Sequence, residues 1–83
     1  MSHDTKLVYM VNQIGKFFAH QSPEKAIESI ADHLLKFWDP RMRQAIVGHV
    51  DKGGDTGLAP LALKAVEKVR ERDRQKWAAR PPS

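Results

Sequence analysis

The sequence predicts an all-α protein, a small bundle of three to four helices with a sharp helix-helix corner at Asp39-Pro40. Three observations predict this fold class. Apolar residues recur at spacings of three and four in four segments, and no segment alternates as a strand does. Prolines stand at or near the expected starts of three segments, where a helix tolerates them. The chain has 83 residues and no cysteine, so it forms one domain, and disulfide scaffolds, thiolate zinc sites and iron–sulfur clusters are excluded.

The first helix is expected to run from Asp4 or Thr5 to Ala19, and the second to begin just after Ser22. Ser22 is a suitable N-cap, and Pro23 suits the first helical position. The apolar stripes step by three and four: Leu7, Val11, Ile14 and Phe18 in the first helix, and Ile27, Ile30, Leu34 and Phe37 in the second.

A proline separates the second helix from the third. Pro40 ends the second helix because a proline disfavours helical geometry in the residue before it, here Asp39. Asp39 can then cap a third helix whose first residue is Pro40. Because this junction is so short, the two helix axes are expected to meet at a sharp corner. The third helix should end before Gly53.

A glycine-rich loop, residues 52–57, leads into the fourth helix, for which Thr56 is the expected N-cap. The apolar stripe of this helix stops at Val69. The mostly polar residues that follow are expected to continue the helix, with their side chains exposed to solvent. We therefore divide the chain into a helical bundle domain, 1–69, and a basic C-terminal helical extension with a frayed tail, 70–83.

The net charge of +4 lies entirely from Lys64 onward, because acids and bases balance in residues 1–63. A basic C-terminal helix can bind nucleic acid or an acidic protein surface. We favour a solvated helix end, since interleaved acids dilute the field, and nucleic-acid binding is disfavoured. The longest apolar stretch, residues 58–63, is too short to cross a bilayer, and the N-terminus lacks a signal-peptide layout. No membrane contact is expected, and the expected location is cytoplasmic.

Candidate reactive groups are few. The histidines lack the spacing of a metal-binding pair, which favours scattered, structural roles for His3, His20, His33 and His49. The loop before the fourth helix can in principle hold a phosphate through backbone amides, although a simple glycine turn is favoured. The candidate phosphate-binding residues are Lys52, Gly53, Gly54, Thr56 and Gly57. No catalytic or metal-binding arrangement can be argued from spacing, so an independent enzyme is not expected.

The corner also offers candidate partner contacts. Trp38 either closes the core or anchors a partner protein, and the core interpretation is favoured. Arg41 and Arg43 cannot both point inward, so at least one should be free to pair with a partner's carboxylate.

The most distinctive motif of the chain is Phe37-Trp38-Asp39-Pro40-Arg41-Met42-Arg43 at the corner. Together with Asn12-Gln13-Ile14, Phe17-Phe18, Ala31-Asp32-His33-Leu34 and Gly57-Leu58-Ala59-Pro60-Leu61, it resembles the delta subunit of NAD-dependent, molybdenum-containing formate dehydrogenases. The resemblance extends from about Leu7 to Val69.

This resemblance implies a non-catalytic accessory subunit of a cytoplasmic complex that oxidises formate and passes electrons to NAD. In such complexes the catalytic subunit holds bis-molybdopterin guanine dinucleotide and iron–sulfur clusters, partner subunits hold FMN and further clusters, and the delta chain holds no cofactor. Its implied role is to support assembly or stability of the cofactor-loaded catalytic subunit, its partner. We expect the partner-facing residues to be Asn12, Phe37, Trp38, Arg41 and Arg43.

Two other functions remain as alternatives. The first is a nucleotide- or phosphate-binding assembly factor that uses the loop from Lys52 to Gly57, with guanine nucleotide as a sensible test ligand. The second is a small basic nucleic-acid-binding protein.

Overall fold

Four α-helices make up the part of the chain that the computed structural model describes, residues 3–78. The helices are α1, His3–Phe18; α2, Pro23–Phe37; α3, Pro40–Asp51; and α4, Pro60–Ala78. The all-α prediction is confirmed, since residues 3–78 contain no strand. The expected frayed tail lies outside the described residues. Within residues 3–78, no helix is both long and apolar enough to cross a membrane.

One hydrophobic core holds the four helices together, and α2 and α4 form its most extensive pair. Every helix contributes to it, so no helix can leave without exposing core residues to water. The buried side chains of this core are Leu7, Val11, Ile30, Ala31, Leu34, Trp38, Ile46, Ala62, Ala65, Val66 and Val69.

The corner between α2 and α3 forms as the sequence predicts. The carboxylate of Asp39 accepts a hydrogen bond from the Met42 amide at 2.9 Å, and the Asp39 carbonyl accepts one from the Arg43 amide at 3.1 Å. Asp39 is therefore the N-cap of α3, with Pro40 at the first helical position. Ser22 occupies the N-cap position of α2, but its side chain makes no capping hydrogen bond, which corrects the role expected for it.

The start of α4 differs from the prediction. Thr56 does not cap the helix; its hydroxyl accepts a hydrogen bond from the Leu58 amide at 3.2 Å inside the loop. Gly57 follows with a φ of +78°, which breaks any helical path from Thr56. The carbonyl of Ala59 accepts the first helical hydrogen bond, from Leu63 at 2.8 Å, so α4 begins at Pro60. From there α4 runs to Ala78 without a break at Val69.

Candidate interaction surface

Two phenylalanines at the C-terminal ends of α1 and α2 leave large apolar side chains in solvent. Phe17 is 74% exposed and Phe37 is 70% exposed. Phe18 and His33 connect them: the ring centroids lie 5.1 Å apart for Phe17 and Phe18, 6.3 Å for Phe18 and His33, and 4.8 Å for His33 and Phe37. We call these four residues the aromatic face.

Phe37 reaches the surface because α2 ends with it. The next residue, Trp38, leaves helical geometry with a φ of −91° and a ψ of 136°. This turn carries the indole of Trp38 into the core, where only 6% of the residue is exposed. The sequence places Phe37 on the buried stripe of α2, and that expectation is wrong because Trp38 takes the core position at this end of the helix.

The aromatic face carries lysines and lacks nearby acids on α1. Lys16 precedes Phe17 and Lys36 precedes Phe37, and both lysines are exposed. Neither forms an ion pair with any of residues 3–78. Residues 5–23 contain no aspartate or glutamate. Each exposed ring therefore follows in the sequence a lysine whose charge no carboxylate of residues 3–78 neutralises.

An open apolar groove of about 690 Å³ adjoins the aromatic face along α1. Tyr9, which is 64% exposed, lies on one side, and Leu58, Pro60 and Leu61 lie on the other. Gln13 lines this groove and also a smaller hollow of about 310 Å³ beside Phe18. We call the larger feature the α1 groove; through Gln13 it meets the aromatic face.

Asn12, expected to face a partner, is used inside the molecule. Its amide nitrogen donates to the carbonyl of Gly57 at 3.0 Å, and its amide oxygen accepts from the backbone amide of Ala59 at 2.9 Å. Both ends of the side chain therefore fasten the loop before α4 to α1. Asn12 is therefore engaged in two contacts inside the molecule, and its expected partner-facing role stays a prediction.

Two more of the expected partner residues are engaged within the bundle. Trp38 is part of the core, so its ring is not available to a partner; of the two interpretations of Trp38, the burial supports the core. The Arg43 side chain is only 13% exposed, pairs with Asp73 at 3.1 Å and donates to the Trp38 carbonyl at 2.7 Å. Arg43 therefore fastens the corner to α4, and its expected partner-facing role stays a prediction.

Arg41 is exposed and forms no ion pair with residues 3–78. Of the five residues expected at the partner interface, the structure leaves Phe37 and Arg41 open to solvent. Sequence reasoning missed Phe17, which lies one position before the last residue of the α1 stripe. The signal that could have found it is the pair Lys-Phe, which occurs at the end of both α1 and α2.

The loop of residues 52–57 turns through three glycines with positive φ, Gly53, Gly54 and Gly57. The amides at its end are already used. Gly57 donates to the Asp55 carboxylate at 3.0 Å, and the next two amides donate to Thr56 and Asn12. Asp55 thus places a negative charge where a phosphate would have to bind. These three amides therefore do not support phosphate binding by the loop. It stays a prediction for the candidate residues Lys52, Gly53, Gly54, Thr56 and Gly57.

The histidines occupy separate places. The ring of His49 lies 2.9 Å from the Thr56 carbonyl and 3.6 Å from the Asp4 carboxylate, so it links α3 to the loop and to α1. His33 belongs to the aromatic face, and His20 is exposed. The side chain of His3 lies outside the described residues. Among the residues that are described, no group of three or more metal-binding side chains comes together.

Three basic residues of α4 pair with carboxylates of the bundle, whereas Lys64 and Arg74 form no ion pair with the described residues. Arg72 bridges Glu28 and Asp32 on α2, with both contacts at 2.6 Å, and Lys68 also pairs with Glu28. The hydrogen bond from Lys68, followed by that from Arg72, lowers the pKa of Glu28, while desolvation opposes the change. The hydrogen bond to Asp32 is the main cause that raises the pKa of Arg72.

These pairings reduce the charge that a nucleic-acid-binding helix would need. Arg70 pairs with Asp51 on α3, in addition to the contacts of Lys68 and Arg72. A cation already held by a carboxylate contributes little to binding a phosphate backbone. The pairings argue against nucleic-acid binding by the described part of α4, and the sequence, which favours a solvated helix end, does not predict them.

A comparison with models of protein families matches residues 6–66 to the NADH-dependent formate dehydrogenase delta subunit family. The chain belongs to this family. The family expected from the corner motif and its accompanying segments is confirmed. The searches of the curated proteins and of the solved structures found no match.

The delta-subunit match includes most of α1, all of α2 and α3, and the first part of α4. The aromatic face, the corner and the α1 groove all lie inside the matched span. The arginines that pair with the bundle from beyond residue 66, Arg70 and Arg72, lie outside it.

Proposed function

We propose that this protein is a non-catalytic accessory subunit of a cytoplasmic, NAD-dependent formate dehydrogenase complex. In this proposal it supports the assembly or stability of the catalytic subunit loaded with its molybdenum cofactor. The observation that carries the proposal is membership of the delta-subunit family across residues 6–66.

Several charges of the chain are used for structure. Among the described residues, the two groups whose pKa values are shifted, Glu28 and Arg72, pair with each other between α2 and α4. A shifted pKa in a catalytic site would accompany a cleft that can receive a substrate, whereas this pair lies on the outside of the bundle. The arrangement supports a role in which the chain binds and a partner subunit performs the chemistry.

Binding alone is a sufficient mechanism for such a subunit. The surface of the chain is 5876 Å², and a standard interface takes about 800 Å² from each partner, so docking would use roughly one seventh of it. A protein that binds only the folded, cofactor-loaded form of a partner stabilises that form by mass action. Loss of the accessory chain would then lower the amount of loaded enzyme without changing its chemistry.

Deletion of the gene in its native host tests the proposal. We expect formate-dependent NAD reduction in extracts to fall, together with the molybdenum content per catalytic subunit and the fraction of assembled complex. Re-expression of the chain should restore all three quantities. Unchanged activity, molybdenum content and assembly in the deletion strain would refute the proposal.

A further inference from the structure

We propose that the aromatic face, with its bordering lysines Lys16 and Lys36, is the surface that docks onto the catalytic subunit, and that it binds an apolar segment flanked by carboxylates. This inference rests on the proposed function and adds to it the surface used and the chemistry of the contact.

The first argument is the connected apolar exposure. Single apolar side chains are common on protein surfaces, but connected exposed rings mark interaction sites more often. Phe17 and Phe37 are each at least 70% exposed and are joined through Phe18 and His33. Aromatic side chains are enriched among the residues that contribute most of the binding energy at interfaces. The exposed rings of the aromatic face are side chains of this kind.

The second argument is the uncompensated charge. Lys16 and Lys36 form no ion pair within residues 3–78, whereas Lys68, Arg70 and Arg72 on α4 are held by the chain's own carboxylates. Carboxylates on a partner would complement these two lysines, which adjoin the exposed rings in the sequence, and such complementarity sets orientation and association rate. Glu28 and Asp32 of α2 do not neutralise these lysines, because both carboxylates pair with Arg72 of α4.

The same charges argue against a second copy of this chain as the occupant. Two copies that met through the aromatic face would bring their Lys16 and Lys36 side chains together, and like charges at an interface oppose binding. An acidic, apolar segment of a different protein avoids this repulsion.

The third argument is that the surface is already formed. Phe17 lies on α1 and Phe37 on α2, and both helices are fixed by the core residues Val11, Ile30 and Leu34. The ring contacts through His33 further limit the motion of Phe37. A surface that is ordered before binding loses less conformational entropy when the partner arrives.

Co-purification from cells that produce the whole formate dehydrogenase complex tests the inference. We expect a tagged chain with Phe17→Ser and Phe37→Ser to retain at least about tenfold less catalytic subunit than the natural chain. Tyr9→Ser is the matched control, because it removes an exposed aromatic outside the aromatic face. Circular dichroism of each purified variant should show unchanged helix content, since neither phenylalanine is buried.

A charge-reversal pair tests the lysines separately. Lys16→Glu with Lys36→Glu should lower the retained catalytic subunit several-fold at low salt, and the difference should shrink at high salt. Lys25→Glu with Lys64→Glu makes the same change in net charge at exposed lysines away from the aromatic face, and should have little effect.

The outcomes separate this inference from the proposed function. If the natural chain retains no catalytic subunit, the proposed function fails. If the natural chain and the phenylalanine variant retain it equally, or if Tyr9→Ser reduces it as much, the aromatic face is not the docking surface. Binding of the natural chain to phosphatidylserine vesicles that is lost in the phenylalanine variant, with unchanged co-purification, would instead assign the face to a membrane and overturn the inference.

Discussion

Asn12 joins α1 to the loop before α4 through both ends of its amide, at 3.0 Å to Gly57 and 2.9 Å to Ala59. We expect Asn12→Ala to lower the free energy of unfolding by about 1 kcal/mol, because two modest hydrogen bonds are lost at a partly solvated site. The melting temperature should fall by roughly 4–8 °C for a domain of this size. Urea denaturation and thermal melting followed by circular dichroism measure both effects.

Gln13→Ala is the matched control for this prediction. Gln13 carries the same amide group, is exposed, and makes no hydrogen bond within the described residues. It should change the unfolding free energy by less than about 0.5 kcal/mol. Equal effects of the two substitutions would contradict the role assigned to Asn12.

The long-range role of Asn12 shows what single residues in a sequence do not reveal. The side chain was expected to face a partner, but its hydrogen-bond acceptor and donor lie 45 and 47 residues away in the chain. Arg43 is a similar case, since its carboxylate partner Asp73 is 30 residues away. Local spacing in the sequence does not identify such distant pairs. For Trp38, by contrast, the sequence favours a core position, and the burial of the residue supports it.

At the scale of the helices, the elements with local signals were predicted best. Asp39 and Pro40 are adjacent, and both the cap and the first helical residue lie where the sequence places them. The start of α4 was missed because Thr56 has a good capping side chain but is followed by Gly57 in a left-handed conformation. A glycine can adopt a positive φ without steric strain, and the surrounding contacts determine whether it does so.

The α2–α4 ion pairs predict a pH dependence of stability. The pKa of Glu28 is lowered in the folded protein, so its carboxylate contributes stability above its ordinary pKa of 4.5, and this contribution is lost as the pH falls through the lower, folded value. Arg72→Gln removes one of its two cationic partners. We therefore expect the stability difference between the natural chain and Arg72→Gln to be larger near neutral pH than at about pH 3.

Urea denaturation at a series of pH values measures this difference. Arg74→Gln is the control, because Arg74 is exposed on the same helix and forms no ion pair with the described residues. The free energy of unfolding of Arg74→Gln should change with pH in the same way as that of the natural chain. If the difference in unfolding free energy between the natural chain and Arg72→Gln stayed constant from neutral to acidic pH, Glu28 would not contribute to that difference.

At the scale of the whole molecule, the sequence shows where the excess positive charge lies, but it does not show which groups that charge contacts. The bases from Lys64 onward suggested either a binding helix or a solvated end. In the structure, Arg70 and Arg72 reach back to acids of α3 and α2, and these pairings depend on how α4 lies across the bundle. Cations without an ion pair among the described residues also occur outside this segment, at Lys16 and Lys36, where the sequence contains no excess of bases.

The division of the chain at residue 69 is the whole-molecule prediction that truncation can test. Every core residue whose side chain the structure describes lies at or before Val69, so a chain ending there should still form a helical bundle. It loses Arg70, Arg72 and Asp73, however, so that Arg43 has no carboxylate partner. We expect the 1–69 chain to be less stable than a 1–75 chain by about 2 kcal/mol, mainly because the Arg43 cation has lost its partner, since surface pairs add little.

The 1–75 chain is the appropriate control, because it keeps every ion pair of α4 that the structure describes. Thermal melting should place the 1–69 chain roughly 10 °C below it, and Asp73→Asn in the full chain should reproduce part of that loss through Arg43 alone. Equal melting temperatures of the two truncated chains would instead mean that residues 1–69 are a complete folding unit, and that the ion pairs between α4 and the bundle add no stability.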